Sequence, residues 1–323
     1  MIVRSLGQLL LAVSLFRLAP FDASVLEARV NPDRANPEIS HLMLAAGRVH
    51  LPSSPSKEIP PPKKRDTASF GVVTSADSVI VVDGASGATL YAEEPDDVRP
   101  MGSITKLMSA MVFLDTEPNL DQSVKLIQDD YVGGGKMYLQ FNDPFPLRAV
   151  LGASLVGSDN TATNALARLS GMTNDEFIAK MNEKAATLGM ASTHFVDISG
   201  LSSENASTAR ELSLMLRTAK TYDVIRGYMT KQNYTAVSQT GFTSSIPSTD
   251  TLLTSSLNTG DYKITAGKTG FIPQAGYCLA TGVQFEGHEV FIVVLGAQKI
   301  DDRFADASAL ARWSFNTFVW PKL

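Results

Sequence analysis

The order in which strand and helix patterns follow one another constrains the fold of this chain more than any other feature. A hairpin comes first, because the apolar run at residues 78–83 is followed by the turn Gly-Ala-Ser-Gly and a returning strand at 88–92. Five segments with apolar residues at helical spacing follow, over residues 104–114, 147–156, 161–169, 175–188 and 208–220. Strands return over residues 262–269, 276–284 and 289–295, ahead of a closing helix that reaches Phe318. This order predicts an α+β fold in which one antiparallel sheet packs against helices.

The N-terminus has the pattern of an export signal. Arg4 precedes a short apolar run at residues 6–16, which is shorter than the ~20 residues that a membrane-spanning helix needs. We predict that residues 1–28 are a signal peptide or an N-terminal anchor. The protein is then expected outside the cytoplasm, in the periplasm or the cell envelope.

Residues 29–68 are predicted to be a linker, because five prolines between residues 52 and 62 fix the backbone and leave little apolar surface to bury. Residues 69–323 then form the folded domain, and the segment 1–67 is expected to be dispensable for its activity. That segment carries nine of the 28 basic side chains and six of the 33 acidic ones. The folded domain is therefore acidic, which argues against nucleic-acid binding.

Cysteine and histidine usage excludes several kinds of site. Cys278 is the only cysteine, which rules out an intrachain disulfide and any zinc site built on cysteines. None of the four histidines has the HExxH spacing, so a zincin-type metal site is not expected. Because Cys278 lies in an apolar strand, we predict that it is an inert core residue.

The first motif whose residues could carry out catalysis is Ser103-Ile-Thr-Lys106. Residues three apart share one face of a helix, so the Lys106 amine is expected within reach of the Ser103 hydroxyl. A lysine that burial keeps neutral can accept the serine proton. The same spacing occurs at Ser54-Pro-Ser-Lys57, which we interpret as coincidence because it lies in the proline-rich linker.

Two further motifs follow this serine and lysine. Ser158-Asp-Asn160 lies between two apolar helices, where a polar turn can project into a cleft. Lys268-Thr-Gly270 ends a strand, and the bare Gly270 is predicted to let a substrate backbone approach closely. Each motif alone is weak evidence of function, so their order and spacing matter more. The interval from Ser158 to Lys268 is twice the interval from Ser103 to Ser158.

In this order the motifs resemble those of the penicillin-recognising serine acyltransferases. The surrounding sequence narrows the resemblance to the D-alanyl-D-alanine carboxypeptidase family over residues 69–318, through the stretches Arg99-Pro-Met-Gly-Ser-Ile-Thr-Lys106, Phe195-Val-Asp-Ile-Ser-Gly-Leu201, Asn205-Ala-Ser-Thr-Ala-Arg210 and Gly267-Lys-Thr-Gly-Phe271. The resemblance implies a β-lactamase/transpeptidase-like fold, with helices on both faces of the antiparallel sheet and a helical subdomain. Many members read Pro-Ala before the nucleophile where this chain has Met101-Gly102, and Gly102 is expected to be tolerated.

The resemblance also implies a function: a serine-type DD-peptidase that acts on peptidoglycan stem peptides in cell-wall biogenesis and is acylated by β-lactam antibiotics. Ser103 is the implied nucleophile, Lys106 the general base and Ser158 the proton relay. The implied substrate-binding residues are Asn160, Lys268, Thr269, Gly270, Phe271 and Arg210. The backbone N–H groups of Ser103 and Phe271 are the implied oxyanion hole, and Arg210 is expected to support the charge near Lys268. The family uses no metal or organic cofactor.

Two other functions stay open. One is a β-lactamase of the same superfamily, whose class A members use Glu-x-x-x-Asn between the second and third motifs. The residues that stand four positions after the four glutamates of that interval are Lys180, Thr187, Thr208 and Met215. Because none is asparagine, slow deacylation of β-lactams is expected. The other is a non-catalytic peptidoglycan-binding module, which the intact motifs disfavour.

Two features bear on substrate preference. The Arg-Pro-Met start of the first motif and the Phe271 after the third look like the endopeptidase-type members. Five residues follow Phe318, and Pro321 stops a helix there, so membrane attachment is expected only through the N-terminal segment. We therefore favour cleavage of D-Ala–diaminopimelate cross-links over carboxypeptidase action.

Overall fold

The computed structural model describes residues 59–65, 69 and 71–321. The predicted signal segment 1–28 and most of the predicted linker lie outside the described residues. The strands of the described part are β1 Lys63–Lys64, β2 Ser78–Asp83, β3 Thr89–Glu93, β4 Arg99–Pro100, β5 Ser123–Lys125, β6 Pro144–Pro146, β7 Ala206–Ser207, β8 Asn233–Val237, β9 Thr243–Pro247, β10 Tyr262–Ile272, β11 Gly276–Phe285, β12 His288–Ala297 and β13 Phe318–Val319. Its α-helices are α1 Lys106–Leu114, α2 Leu147–Leu155, α3 Asn160–Leu169, α4 Asn174–Thr187, α5 Ala209–Thr221, α6 Asp223–Met229 and α7 Asp302–Thr317.

A five-stranded antiparallel sheet in the order β10-β11-β12-β2-β3 organises the domain. Alternate residues of its central strands enter different cores, because side chains of a strand point to opposite faces. Ile80 and Val82 of β2 join a large core with α1 to α6, whereas Val79 and Val81 join a smaller core with α7. The structure thus confirms the α+β class and the helices on both faces of the sheet.

The predicted helices form within a residue or two of their expected bounds, and local capping explains several of their starts. Thr208 caps α5, since its hydroxyl accepts a hydrogen bond from the Glu211 N–H at 3.1 Å. Thr173 and Glu176 form a capping box at the start of α4. The hairpin of β8 and β9 was not predicted from the sequence, and Ala236 and Ile246 are its only buried apolar residues. Strands this polar lack the apolar signal on which sequence-based prediction depends.

The folded unit begins earlier than the predicted boundary at residue 69. Residues Ile59–Leu323 form one compact unit, in which β1 pairs with β13, the strand that directly follows α7. Pro62 is buried, and the Arg65 N–H donates to the Thr317 carbonyl oxygen at 2.7 Å. The end of the predicted linker therefore belongs to the domain, because it pairs with the strand that closes the chain. Within the described residues, no helix is both long enough and apolar enough to cross a membrane.

These contacts predict how truncation affects stability. A chain that starts at Ile59 should unfold at the temperature of the full chain. A chain that starts at Ser69 loses β1 and should unfold at least about 2–4 °C lower, since losing even one hydrogen bond costs about 1 kcal/mol and that cost lowers the unfolding temperature of a domain of this size by this amount. Thermal unfolding followed by circular dichroism compares the three chains. Equal unfolding temperatures for the two truncated chains would show that β1 contributes nothing.

Candidate active site

The first motif forms a helical turn that continues into a helix. Ser103 lies in a 3-10 turn, Gly102–Thr105, and Lys106 is the first residue of α1. Because the two residues stand on one face, Lys106 Nζ lies 2.8 Å from Ser103 Oγ. Ser103 is half-buried, whereas Lys106 is completely shielded from solvent. The expected serine–lysine pair is therefore present.

Two carbonyl oxygens complete the surroundings of the Lys106 amine. Its Nζ lies 2.6 Å from Asn160 Oδ1 and 2.6 Å from the Ser199 carbonyl oxygen. Burial lowers the pKa of Lys106 to about 7, although the carboxylates of Asp197 and Asp159 act in the opposite direction. The amine is therefore able to be neutral near physiological pH.

The second motif owes its shape to its central residue. Asp159 is the N-cap of α3 and accepts hydrogen bonds from the N–H groups of Ala162 at 3.0 Å and Tyr138 at 2.9 Å. Ser158, just before the cap, has a positive φ of 58°, an uncommon backbone conformation for a serine. Asn160 begins the helix, and its Nδ2 donates to the Gly133 carbonyl oxygen at 3.1 Å, which orients Oδ1 toward Lys106.

A loop whose role the sequence analysis did not anticipate supplies the other carbonyl. Asp197 Oδ1 accepts hydrogen bonds from the N–H groups of Ser199 at 2.7 Å and Gly200 at 2.6 Å, and Oδ2 accepts from the Ser202 N–H at 2.6 Å. These bonds hold the loop so that the Ser199 carbonyl oxygen faces Lys106. The stretch Phe195–Leu201 contributed to the family resemblance, but a backbone carbonyl leaves no signature in residue type.

The third motif lies on β10, the edge strand of the sheet. Lys268 is 1% exposed, and its Nζ donates to Ser158 Oγ at 2.9 Å and to the Thr269 carbonyl oxygen at 3.1 Å. Burial first, and then the charges of Lys106 and Arg303, lower the pKa of Lys268, while Asp250 raises it. The contact between Lys268 and Ser158 brings the second and third motifs to one cleft.

Glycines allow the first motif to meet β10. A Cβ on Gly270 would lie 2.3 Å from the Met101 carbonyl oxygen, and one on Gly102 would lie 2.7 Å from the Phe271 nitrogen. The prediction that Gly270 leaves room for substrate is therefore corrected, since the protein's own backbone fills that space. Gly102 has a φ of +55°, so its lack of a side chain is required by both contact and conformation.

Arg210 does not join this cluster. Its guanidinium pairs with Asp96 at 2.7 and 2.9 Å on an exposed surface, and this corrects the expectation that it supports the charge near Lys268. Arg303 of α7, which the sequence analysis did not single out, takes that place. It is 5% exposed, and its Nη1 donates to the Gly270 carbonyl oxygen at 3.0 Å. Nothing in the sequence indicated that Arg303 lies near the third motif, because two further strands, β11 and β12, separate the two in the chain.

The remaining predicted residues have clear environments. Thr269 Oγ1 lies 2.6 Å from Thr249 Oγ1. Phe271 is 48% exposed and stacks on Tyr277 with ring centroids 4.4 Å apart. Cys278 is buried, and burial raises the pKa of its thiol to about 11, as expected for an inert core residue.

Comparison with known proteins identifies the family. The model of the D-alanyl-D-alanine carboxypeptidase family matches residues 64–299. The D-alanyl-D-alanine endopeptidase of Escherichia coli is 34% identical over 258 residues, which are 79% of this chain and 82% of that protein. The D-alanyl-D-alanine endopeptidase of Pseudomonas aeruginosa is 34% identical over 239 residues, 73% of this chain and 76% of the relative.

Solved structures agree with this match. The crystal structure of the Streptomyces K15 DD-transpeptidase superposes with a TM-score of 0.71 at 29% identity, covering 77% of this chain and all of that one. A penicillin-binding protein homologue from Mycobacterium tuberculosis superposes with a TM-score of 0.71 at 26% identity, covering 80% of this chain.

The close approach at Gly102 predicts a strong effect of the smallest side chain. Gly102→Ala should destabilise the fold by about 2 kcal/mol and slow acylation by penicillin, since its Cβ overlaps the Phe271 nitrogen. Gly227→Ala is the matched control, because apart from its chain neighbours and its own helix backbone no atom lies within 4 Å of its Cβ, and helix propensity favours alanine. Chemical denaturation and acylation rates measure both. A Gly102→Ala protein with native values would contradict the steric argument.

Proposed function

The chain belongs to the D-alanyl-D-alanine carboxypeptidase family and is a serine-type DD-peptidase that acts on peptidoglycan peptides, and we propose that Ser103 is its nucleophile. One observation carries this proposal: Ser103 Oγ lies 2.8 Å from the fully buried amine of Lys106. A hydroxyl beside a base of lowered pKa is the arrangement that activates a serine for covalent catalysis.

The contacts of Lys106 fit a neutral amine. Asn160 Oδ1 and the Ser199 carbonyl oxygen can only accept hydrogen bonds, so they take the two N–H groups of such an amine. The lone pair of Nζ then points to the third neighbour, Ser103 Oγ, and accepts its proton. Lys106 is therefore our proposed general base.

The reaction follows from this geometry. Ser103 Oγ bonds to the carbonyl carbon of the D-Ala residue while its proton passes to Lys106 Nζ. Ser158, hydrogen-bonded to Lys268 at 2.9 Å, relays this proton from Lys106 to the leaving amino group as the peptide C–N bond breaks, which makes Lys106 neutral again. Water then hydrolyses the acyl-enzyme ester and restores the Ser103 hydroxyl. A β-lactam acylates Ser103 in the same way, but its nitrogen stays attached after the ring opens.

The third motif is proposed to bind the substrate end. The Lys268 ammonium and the Thr269 hydroxyl would hold a terminal carboxylate, or the equivalent polar group of a cross-link, on the open edge of β10. The N–H groups of Ser103 and Phe271 would stabilise the oxyanion, a donor being typically worth about 3 kcal/mol. Asn160 would contact the substrate amide in addition to Lys106. Arg303 supports this strand indirectly, through the Gly270 carbonyl oxygen.

The β-lactamase alternative gains no support from the glutamates between the second and third motifs. Glu176 caps α4, Glu183 pairs with Lys180, and Glu211 accepts hydrogen bonds from Ser192 and Thr193. These three glutamates are engaged in structural contacts, which argues against their acting as the general base for rapid deacylation of a penicilloyl enzyme. The fourth, Glu204, is exposed and has Thr208, not asparagine, four positions on. A non-catalytic peptidoglycan-binding module would have no need of the buried Lys106 beside Ser103.

We further propose that the enzyme prefers cross-linked peptides. The two relatives with 34% identity are named D-alanyl-D-alanine endopeptidases. The exposed Phe271 ring, stacked on Tyr277 next to the third motif, offers an apolar surface to a substrate that continues past the cleaved bond. A carboxypeptidase substrate ends there with D-Ala, so this surface would matter less.

Localisation follows from the substrate. Peptidoglycan is assembled outside the cytoplasmic membrane, so we propose that residues 1–28 direct export to the periplasm or the cell envelope. The mass of the N-terminal peptide of protein recovered from the envelope distinguishes a cleaved signal from a retained anchor.

The assignment of nucleophile and base makes a direct prediction. Ser103→Ala and Lys106→Ala should each lose acylation by a fluorescent penicillin while the far-ultraviolet circular dichroism stays native. In the native protein the acylation rate should rise with pH through about 7, because below that value Lys106 is protonated and cannot accept the serine proton. A penicilloyl adduct on the Ser103→Ala protein would disprove the nucleophile assignment.

Substrate preference is tested with defined muropeptides. The enzyme should cleave D-Ala–diaminopimelate dimers faster than it releases D-Ala from pentapeptide monomers, with products identified by mass. Phe271→Ala should lower kcat/KM for dimers roughly fivefold and leave the monomer reaction within about twofold, because loss of an aromatic contact costs about 1 kcal/mol. Release of D-Ala with intact dimers would refute the endopeptidase preference and leave DD-peptidase activity in place.

A further inference from the structure

A buried carboxylate lies behind the third motif and has no part in the steps above. Asp250 is 4% exposed, and its Oδ1 accepts a hydrogen bond from the Leu252 N–H at 2.9 Å. Its other oxygen, Oδ2, is buried without a hydrogen-bond partner. An unpartnered buried carboxylate oxygen is costly, so its retention calls for a compensating role.

The segment that carries this carboxylate is attached to the catalytic cleft on two sides. The Thr249 N–H donates to the Val156 carbonyl oxygen at 3.3 Å, two residues before Ser158. The Thr249 hydroxyl contacts the Thr269 hydroxyl at 2.6 Å. Asp250 is therefore held in a fixed position relative to both the second and the third motif.

The unpartnered oxygen points at the backbone next to Lys268. A Cβ built on Gly267 would lie 2.2 Å from Asp250 Oδ2, so the glycine is what admits the carboxylate to this position. Three cations face this region from different elements: Lys106 of α1, Lys268 of β10 and Arg303 of α7. Among the groups that act on the charge of Lys268, Asp250 is the one whose negative charge stabilises the ammonium form.

We propose that Asp250 is a positioning residue of the catalytic cleft, whose negative charge keeps Lys268 in its ammonium form beside the base Lys106. The inference rests on the proposed function, because it gives that ammonium its role with the substrate carboxylate. Without Asp250, burial and the charge of Arg303 would drive Lys268 toward the neutral amine, which binds a carboxylate poorly.

Asp250 and Lys106 should then govern different parts of the pH profile of acylation. The acid side of the profile reports Lys106, which must lose a proton to act as the base. The alkaline side reports Lys268, which must keep its proton. Burial raises the pKa of Asp250 to about 6, so its carboxylate is charged over the whole alkaline side.

The test is the rate of acylation by a fluorescent penicillin between pH 5 and about 10. Asp250→Asn keeps the shape of the side chain and an acceptor for the Leu252 N–H but removes the charge. The ratio of the rate at pH 9 to that at pH 7 should fall roughly fivefold, while the acid side stays in place. Asp83→Asn is the matched control, since Asp83 is also buried, at 1% exposure. Its carboxylate accepts hydrogen bonds from the Ser86 N–H and from Trp320 Nε1, and the ratio of the acylation rates of this variant at pH 9 and pH 7 should equal that of the native protein.

Stability separates this role from a structural one. The folded-state pKa of Asp250 lies above its unfolded value, so its carboxylate destabilises the fold at neutral and alkaline pH. Asp250→Asn should therefore unfold at the native temperature or above it at pH 8, even as alkaline acylation declines. A merely structural aspartate would show the reverse, a lower unfolding temperature with an unchanged pH profile.

Asp250→Ser is a second, independent test. The serine hydroxyl can still accept the hydrogen bond of the Leu252 N–H, and the side chain carries no charge. If either variant folds and its acylation rate at alkaline pH equals that of the native protein, the inference is overturned and the Ser103 mechanism stays intact. Failure of the native chain itself to form an adduct would overturn the proposed function and this inference together.

Discussion

The amine of Lys106 is the point at which the catalytic part of this molecule is assembled. Its three neighbours come from three places in the chain: Ser103 from the same turn, Asn160 from α3 and the carbonyl of Ser199 from a loop. A buried amine without partners would cost several kcal/mol, so these segments are stable in place only together. Asp197 orients the loop carbonyl, which makes it part of the same arrangement.

Two lysines buried in one cleft impose an electrostatic constraint on the fold. Burial lowers the pKa of both Lys106 and Lys268, and the charge of Lys106 lowers the pKa of Lys268 further. The proposed chemistry needs one neutral amine and one ammonium, so the distribution of polar and acidic groups around the two lysines decides which is which. Burial favours the neutral form of Lys106, and its two carbonyl neighbours accept the two N–H groups that this form keeps, while Lys268 donates to the Ser158 hydroxyl. Large apolar cores on both faces of the sheet offset the cost of burying these charges.

Backbone packing holds the turn that carries Ser103, the proposed nucleophile, against the sheet. Three glycines lie too close to neighbouring backbone to carry a Cβ. Gly102 packs against the Phe271 nitrogen, Gly270 against the Met101 carbonyl oxygen, and Gly200 against the Gly102 carbonyl oxygen. The turn is thereby enclosed between the edge strand β10 and the loop that carries Ser199. This enclosure brings the backbone of the Ser103 turn close to the Phe271 nitrogen, the second donor of the proposed oxyanion site.

The sequence by itself determined the fold class, the order of the main elements and the three motifs, because each depends on a local pattern of apolar periodicity or on residue types at fixed spacing. The serine–lysine pair follows directly from helix geometry, since residues three apart meet on one face. Tertiary structure decided the rest. Arg303 rather than Arg210 lies near Lys268, the Ser199 carbonyl completes the lysine site, and β1 extends the domain back to Ile59. These relations join residues far apart in the chain, or use backbone atoms common to all residues, so only the packing of the sheet and helices specifies them.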